Sequence, residues 1–206
     1  MSRGLGDVYK RQEYDLAKEI NGQAVATEIA RHELYGCTGA EMVQEMKPYH
    51  IDFPNVKNNC LRFEVSPSIE ESATFTDADW AELGNDFMQR MGLANHQYII
   101  IRHSGTESKK EQAHLHILAN RVSLSGELYR DNWIGKKATE AANAIAKERN
   151  FVQSQDIGKV NKAEIKEAMD GVLKKMQGFD FTKFKEELGK RGFKVREARA
   201  STGKLN

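Results

Sequence analysis

The sequence predicts an α+β fold, an antiparallel β-sheet covered by helices with a helical extension toward the C-terminal end. Three observations carry the prediction. Residues 60–66 and 114–120 alternate between two kinds of side chain, the mark of strands whose two faces meet different surroundings. The polar stretch from Ser104 to Gln112 is short enough to be a hairpin loop, which makes the strands it joins antiparallel. Capped stripes of helical period sit before and after that hairpin.

Residues 1–12 read as the translation of a sequencing-library adapter and are set aside. The natural start is then expected to be missing, and because 201–206 carry no terminal structural signal, the chain is read as truncated at both ends. Residues 13–155 are read as the main domain and 156–206 as a basic helical extension. Thr38 and Glu41 have capping-box spacing and lead into Met42, Val43 and Met46, a short helix stopped before Pro48. In the strand at 60–66, Leu61, Phe63 and Val65 alternate with Arg62, Glu64 and Ser66, and Pro67 ends it. Thr76 caps a helix with the core stripe Trp80, Leu83, Phe87, Met88 and Met91, stopped by Gly92.

A strand over 97–102 then ends at His103, and the histidine-bearing strand follows the loop. Ser123, Leu124, Ser125 and Gly126 read as a turn, and 127–130 as a brief return strand. The next helix presents Ala138, Ala141, Ala142 and Ile145, small enough to pack closely on a sheet. Asn161 with Glu164 is expected to cap a helix carrying Ile165, Ala168, Met169, Val172 and Met176, and a shorter one carries Phe181, Phe184 and Leu188. There is no internal repeat or low-complexity tract.

Composition excludes several classes. No window approaches the roughly 18 consecutive apolar residues of a membrane span, and no charged segment followed by an apolar one opens the chain as a secretory signal would. A cytoplasmic location is expected. Cys37 and Cys60 form no ligand or redox spacing and are read as reduced. The net charge of +1 hides an asymmetry: residues 159–206 hold 13 Lys+Arg against 7 Asp+Glu, while the first 158 hold 18 against 23. Such a basic block can track a phosphate backbone, or can simply solvate a helical face.

The chemistry concentrates in the histidines. On a strand, His114, His116, Leu118 and Asn120 share one face and Leu115, Ile117 and Ala119 the other. His103 returns across the hairpin, so three of the six histidines can converge. Neutral imidazole is the commonest protein metal ligand, and three such ligands leave coordination positions open for a substrate oxygen. A lone histidine on an apolar strand is usually packed or hydrogen-bonded, but a pair two residues apart with a third opposite is expensive to desolvate without a shared partner.

Taken in order, several stretches resemble the relaxases of mobilisable plasmids and conjugative elements, members of the HUH endonucleases. They are the Trp80 to Leu93 stripe, His103, the His114-Leu115-His116 core with its continuation Ile117, Leu118, Ala119, Asn120, Arg121 and Val122, and the segment from Tyr129 to Lys137. The resemblance covers about 13 to 155, continues more loosely through Phe179 to Val195, and looks closest to the mobilisation proteins of Bacteroides-type elements. It implies a protein that nicks one DNA strand at a transfer origin and stays covalently attached to the cut 5′ end. It also implies a divalent metal ion, Mn or Mg, on His103, His114 and His116, single-stranded DNA as partner, and accessory mobilisation proteins. The family places its nucleophile near the N-terminus, which selects Tyr14; Tyr9 lies in the adapter-like segment, and Tyr35 and Tyr49 read equally as packing or turn residues.

The chain departs from the family pattern where relatives carry an acidic residue about two places after the first histidine, since His103 is followed here by Ser104, Gly105 and Thr106. Glu64 is the candidate substitute, to orient an imidazole or accept the tyrosine proton, and equally a solvent-facing strand carboxylate. Asn120, Arg121, Lys136 and Lys137 are the candidate DNA contacts; Asn120 could instead make a structural hydrogen bond, and the lysines could be solvated. Without a native leader strand the chain is expected to nick weakly or not at all. Two other readings stay open: a DNA-binding module whose histidines hold a structural metal, and a histidine-triad nucleotide hydrolase, which needs a further histidine where Leu118 stands.

Overall fold

Ile99, Ile100 and Ile101 dictate the architecture. On a strand they point alternately to two faces, yet each is at most 2 % exposed, so the sheet that contains them has to be covered on both sides. The computed structural model describes residues 19–20, 23–105 and 112–196, and separates after Phe151 into two compact units.

Among the described residues the first unit begins with β1 (Glu19–Ile20), paired antiparallel with β2 (Gln23–Ala24). Its main sheet has β3 (Ala26–His32), β4 (Cys60–Val65), β5 (His96–His103) and β6 (His114–Ser123) in the order β3-β5-β6-β4, every neighbouring pair antiparallel. The two central strands are therefore the two that carry His103, His114 and His116. β3 breaks its register between Glu28 and Ala30, and this irregularity on an edge strand is why no clean alternation announces it in the sequence.

Between the strands lie α1 (Gly39–Met46), a 3₁₀ turn (Lys47–His50), the one-turn α2 (Ile69–Ser72), α3 (Asp77–Arg90) and, after β6, α4 (Ile134–Glu148). Thr38 caps α1 and Thr76 caps α3, each through a reciprocal box with Glu41 and Asp79. A third box, Ser68 with Glu71, starts α2, an element the sequence does not announce by its length.

Two cores follow from the alternation. On one face Trp80, Leu83, Phe87 and Met88 of α3 and Ala141 and Ile145 of α4 pack on Phe63, Ile100, Leu115 and Ile117. Close approach is built in: a Cβ on Gly84 would come within 2.7 Å of Ile100 Cδ1 and 3.3 Å of Leu115 Cδ1. On the other face Met42, Val43 and Met46 of α1 pack on Cys60, Ile99, Ile101 and Leu118. Burial of each of these large side chains stabilises by about 1.5–3 kcal/mol. The histidines share this second face with Leu118.

Three details differ from the sequence-based expectation. The return strand at 127–130 is a single bridge, Val122 with Leu128, because the chain turns out of the sheet at Tyr129. Ala142 is exposed, since the buried line of α4 runs through Ile134, Ala138, Ala141 and Ile145 and position 142 falls beside it. Asn161 does not start a helix. The second unit holds α5 (Ser154–Leu173) and α6 (Phe181–Lys190), and the helix runs through Asn161 from its cap at Gln153. There Ala168, Val172, Phe184 and Leu188 form a separate small core.

Candidate metal centre

Register brings the ligands together. In the antiparallel ladder His103 lies directly opposite His114, and Glu64 directly opposite His116, so their Cβ atoms stand about 4.5–5.5 Å apart on shared faces. His103, His114 and His116 are 0 %, 3 % and 6 % exposed. Their ring centroids lie 4.3 to 5.4 Å apart, and one nitrogen from each lies within 4.8 Å of the others. His114 Nε2 and His116 Nε2 are 3.1 Å apart; two bonds of about 2.1 Å to one ion, meeting at roughly 95°, would span that distance.

Hydrogen bonds decide which nitrogen is available. His114 Nδ1 faces the Gln112 carbonyl at 3.1 Å and so carries the proton, leaving the Nε2 lone pair for a ligand. His116 is held differently. Arg62 Nη2 lies 2.8 Å from its Nδ1, and because a guanidinium only donates, Nδ1 accepts and Nε2 keeps its proton, pointed at His114. A metal on His116 Nε2 needs the opposite tautomer, with Nδ1 protonated and facing away from any donor. The Arg62 contact and a metal bound through Nε2 therefore exclude one another. A cation fits this all-imidazole set once Arg62 swings off, and Glu64, exposed and opposite His116 in register, offers an acceptor on the same face.

The remaining candidates separate. Tyr14 lies outside the described residues. Glu64 shares the histidine face of the sheet. Asn120 is a correction: it is fully buried, its Oδ1 accepting from His50 Nε2 at 2.7 Å and from the Val122 amide at 3.1 Å, its Nδ2 donating to Gln97 Oε1 at 2.9 Å. That commitment leaves it no reach to DNA. Arg121 is partly buried, its fork on the Tyr129 carbonyl, the Asn58 carbonyl and Asp131 at 3.1, 3.2 and 2.7 Å. Lys136 is exposed, with only a 3.8 Å ion pair to Glu140; Lys137 donates to the Arg130 carbonyl and lies over the Tyr129 ring.

Sequence reasoning missed Arg62, whose alternation with Phe63 placed it on the polar face without revealing its partner. It also missed the buried set around Asn120. There, burial holds the His50 and His96 imidazoles below their ordinary range, only partly countered by the bonds to the Asn120 side chain and carbonyl. Polar residues spaced over seventy positions of chain give no local signal.

Two antiparallel strands that bring three buried imidazoles together, with an exposed carboxylate on the same face, make a donor set that could hold a metal ion. Residues 14–151 match the protein-family model of the relaxases, MobA/VirD2-like, nuclease domain, and the chain belongs to that family. No curated protein and no solved structure matches the chain. Family membership makes it a DNA-nicking domain of the kind that acts in mobilisation. No helix among the described residues is long and apolar enough to cross a membrane.

Proposed function

We propose that this domain cleaves one strand of DNA at a transfer origin by transesterification onto Tyr14. The tyrosine oxygen forms a bond to phosphorus, the bond from phosphorus to the 3′ oxygen breaks, and the cut 5′ end stays on the protein while the other end leaves as a 3′ hydroxyl. The energy of the phosphodiester is kept for rejoining. The observation that carries the reading is the buried trio His103, His114 and His116 on the central strands of a relaxase-family sheet.

When bound, a divalent ion supplies charge that offsets the charge gathering on a non-bridging phosphate oxygen. The all-nitrogen donor set suits Mn or another transition ion better than Mg, which prefers oxygen. The protein's own residues do the rest. The Gln112 carbonyl keeps His114 in its ligating tautomer. Glu64, on the same face, accepts the tyrosine proton, or a hydrogen bond from His116 Nδ1–H that orients the ring. Arg62, released from His116, is a cation at the rim of the site and is placed to meet a phosphate. The reading places the protein in the cytoplasm with its DNA.

Leu118 speaks against the histidine-triad alternative: it is buried against Ile99 and Ile101 where that chemistry needs an imidazole. The test is covalent trapping. The uninterrupted reading frame expressed whole, Mn and a pool of single-stranded oligonucleotides tiling the DNA around its own gene should give a denaturation-resistant protein–DNA adduct, lost in Tyr14→Phe and in chelator. A structural-metal DNA-binding module would retain the DNA only until denaturation.

A further inference from the structure

Trp133 is the most exposed large apolar side chain among the described residues, at 80 %, whereas the chain's other tryptophan, Trp80, is 2 % exposed. Its backbone is left-handed, with φ 59° and ψ 27°, just before α4. A bulky residue is uncommon there, and Asn would both accept that backbone and cap the helix. Trp133 holds the left-handed backbone without capping the helix, so its ring is not explained by stability of the fold.

Its surroundings point to a partner. Arg130 lies three residues before it, Lys136 three after, and both are exposed. The first turn of α4 has no acidic residue, and the nearby Asp131 is already bound to Arg121. An open π face flanked by cations matches a ligand that alternates flat rings with negative charges, which is single-stranded nucleic acid. The mount is rigid: Arg121 of β6 holds the Tyr129 carbonyl and Asp131, and the Tyr129 amide donates back to the Arg121 carbonyl at 2.9 Å. β6 also carries His116, five residues and about 17 Å of strand away.

We infer that Trp133, with Arg130 and Lys136, is a stacking platform that receives a base of the single-stranded DNA away from the cleavage site. The platform rests on the nuclease reading for its substrate class. It holds the strand in register while the histidine end of the same β-strand meets the phosphate, and it contributes affinity with little base preference, because every base offers a π face.

The two tryptophans make the test direct. Titration of the full chain with oligothymidylate should quench the emission of the exposed ring. Trp133→Asn, which suits the left-handed backbone and keeps the fold, should abolish the quench and weaken binding by roughly five- to fiftyfold. Trp133→Phe should keep most of the affinity, and Arg130→Ala with Lys136→Ala should flatten the salt dependence. Unchanged emission with oligothymidylate, or wild-type affinity in Trp133→Asn, overturns the inference. So does a blue shift with phosphatidylserine vesicles but no response to oligothymidylate, which would make the patch a membrane contact. The quench is read independently of cleavage: a quench without any covalent adduct would sink the nicking reading and leave the platform standing, while an adduct without a quench would do the reverse.

Discussion

Replacing Arg62 with Leu should make the protein bind a divalent ion more tightly, although it deletes a residue beside the active centre. The reason is the tautomer. Arg62 donates to His116 Nδ1 at 2.8 Å, and that bond has to be given up before His116 Nε2 can ligate. A bond to a charged donor contributes about 1.5–3 kcal/mol when shielded; Arg62 is exposed, and screening by solvent brings this to about 1 kcal/mol. A guanidinium about 7 Å from a divalent ion in water-like surroundings adds up to about 1.2 kcal/mol of repulsion, part of which the wild-type side chain escapes by swinging away. The sum is about 1–2 kcal/mol, or roughly five- to thirtyfold in affinity. Calorimetric titration with Mn reads it directly, with His116→Ala as the variant in which the Arg62 effect disappears. Equal or weaker binding in Arg62→Leu would refute the competition, and with it the assignment of His116 Nε2 as the ligating atom.

Other outcomes follow from the same geometry. His50 and His96 are buried with lowered proton affinity, so the folded state takes up fewer protons than the unfolded one. Stability is full above about pH 7 and falls below about pH 6.5, by at most about 1.4 kcal/mol per pH unit for each group. Urea melts across that range should show a shallower fall in His50→Gln, and an unchanged slope would contradict the assignment. Gly84→Val should destabilise by about 2 kcal/mol in thermal melts, because the added methyls collide with Ile100 and Leu115; a neutral result would mean that α3 does not sit so close to the sheet. Arg121→Met keeps the stem but deletes three hydrogen bonds, two of them to carbonyls. It should cost about 2–3 kcal/mol and, by loosening the segment before α4, lower the affinity for oligothymidylate measured through Trp133; intact affinity would separate the platform from that clamp.

The parts of the fold that could be read from sequence are those with a local cause. Capping boxes at Thr38 and Thr76, alternation in β4 and β6, and a loop of hairpin length between His103 and His114 each express themselves over a few residues. From them the convergence of three imidazoles followed, because strand period and antiparallel pairing leave little freedom once both hold. What stayed hidden has non-local causes. β3 carries a bulge that spoils its alternation. The fates of Asn120 and Arg121 depend on His50, Gln97, Asn58 and Asp131, partners brought in by tertiary folding, and both looked like surface polar residues until those partners were in place. Arg62 was visible as a polar-face residue, but only the register of β4 against β6 shows that it reaches His116.

X-ray absorption at the Mn edge of the loaded protein tests the central claim most directly. The claim predicts one ion per chain, with imidazole nitrogens of His103, His114 and His116 in its coordination shell at about 2.0–2.2 Å, and loss of that signal when the three are replaced together by Ala. An oxygen-only shell, or a nitrogen signal that persists in the triple variant, would contradict it.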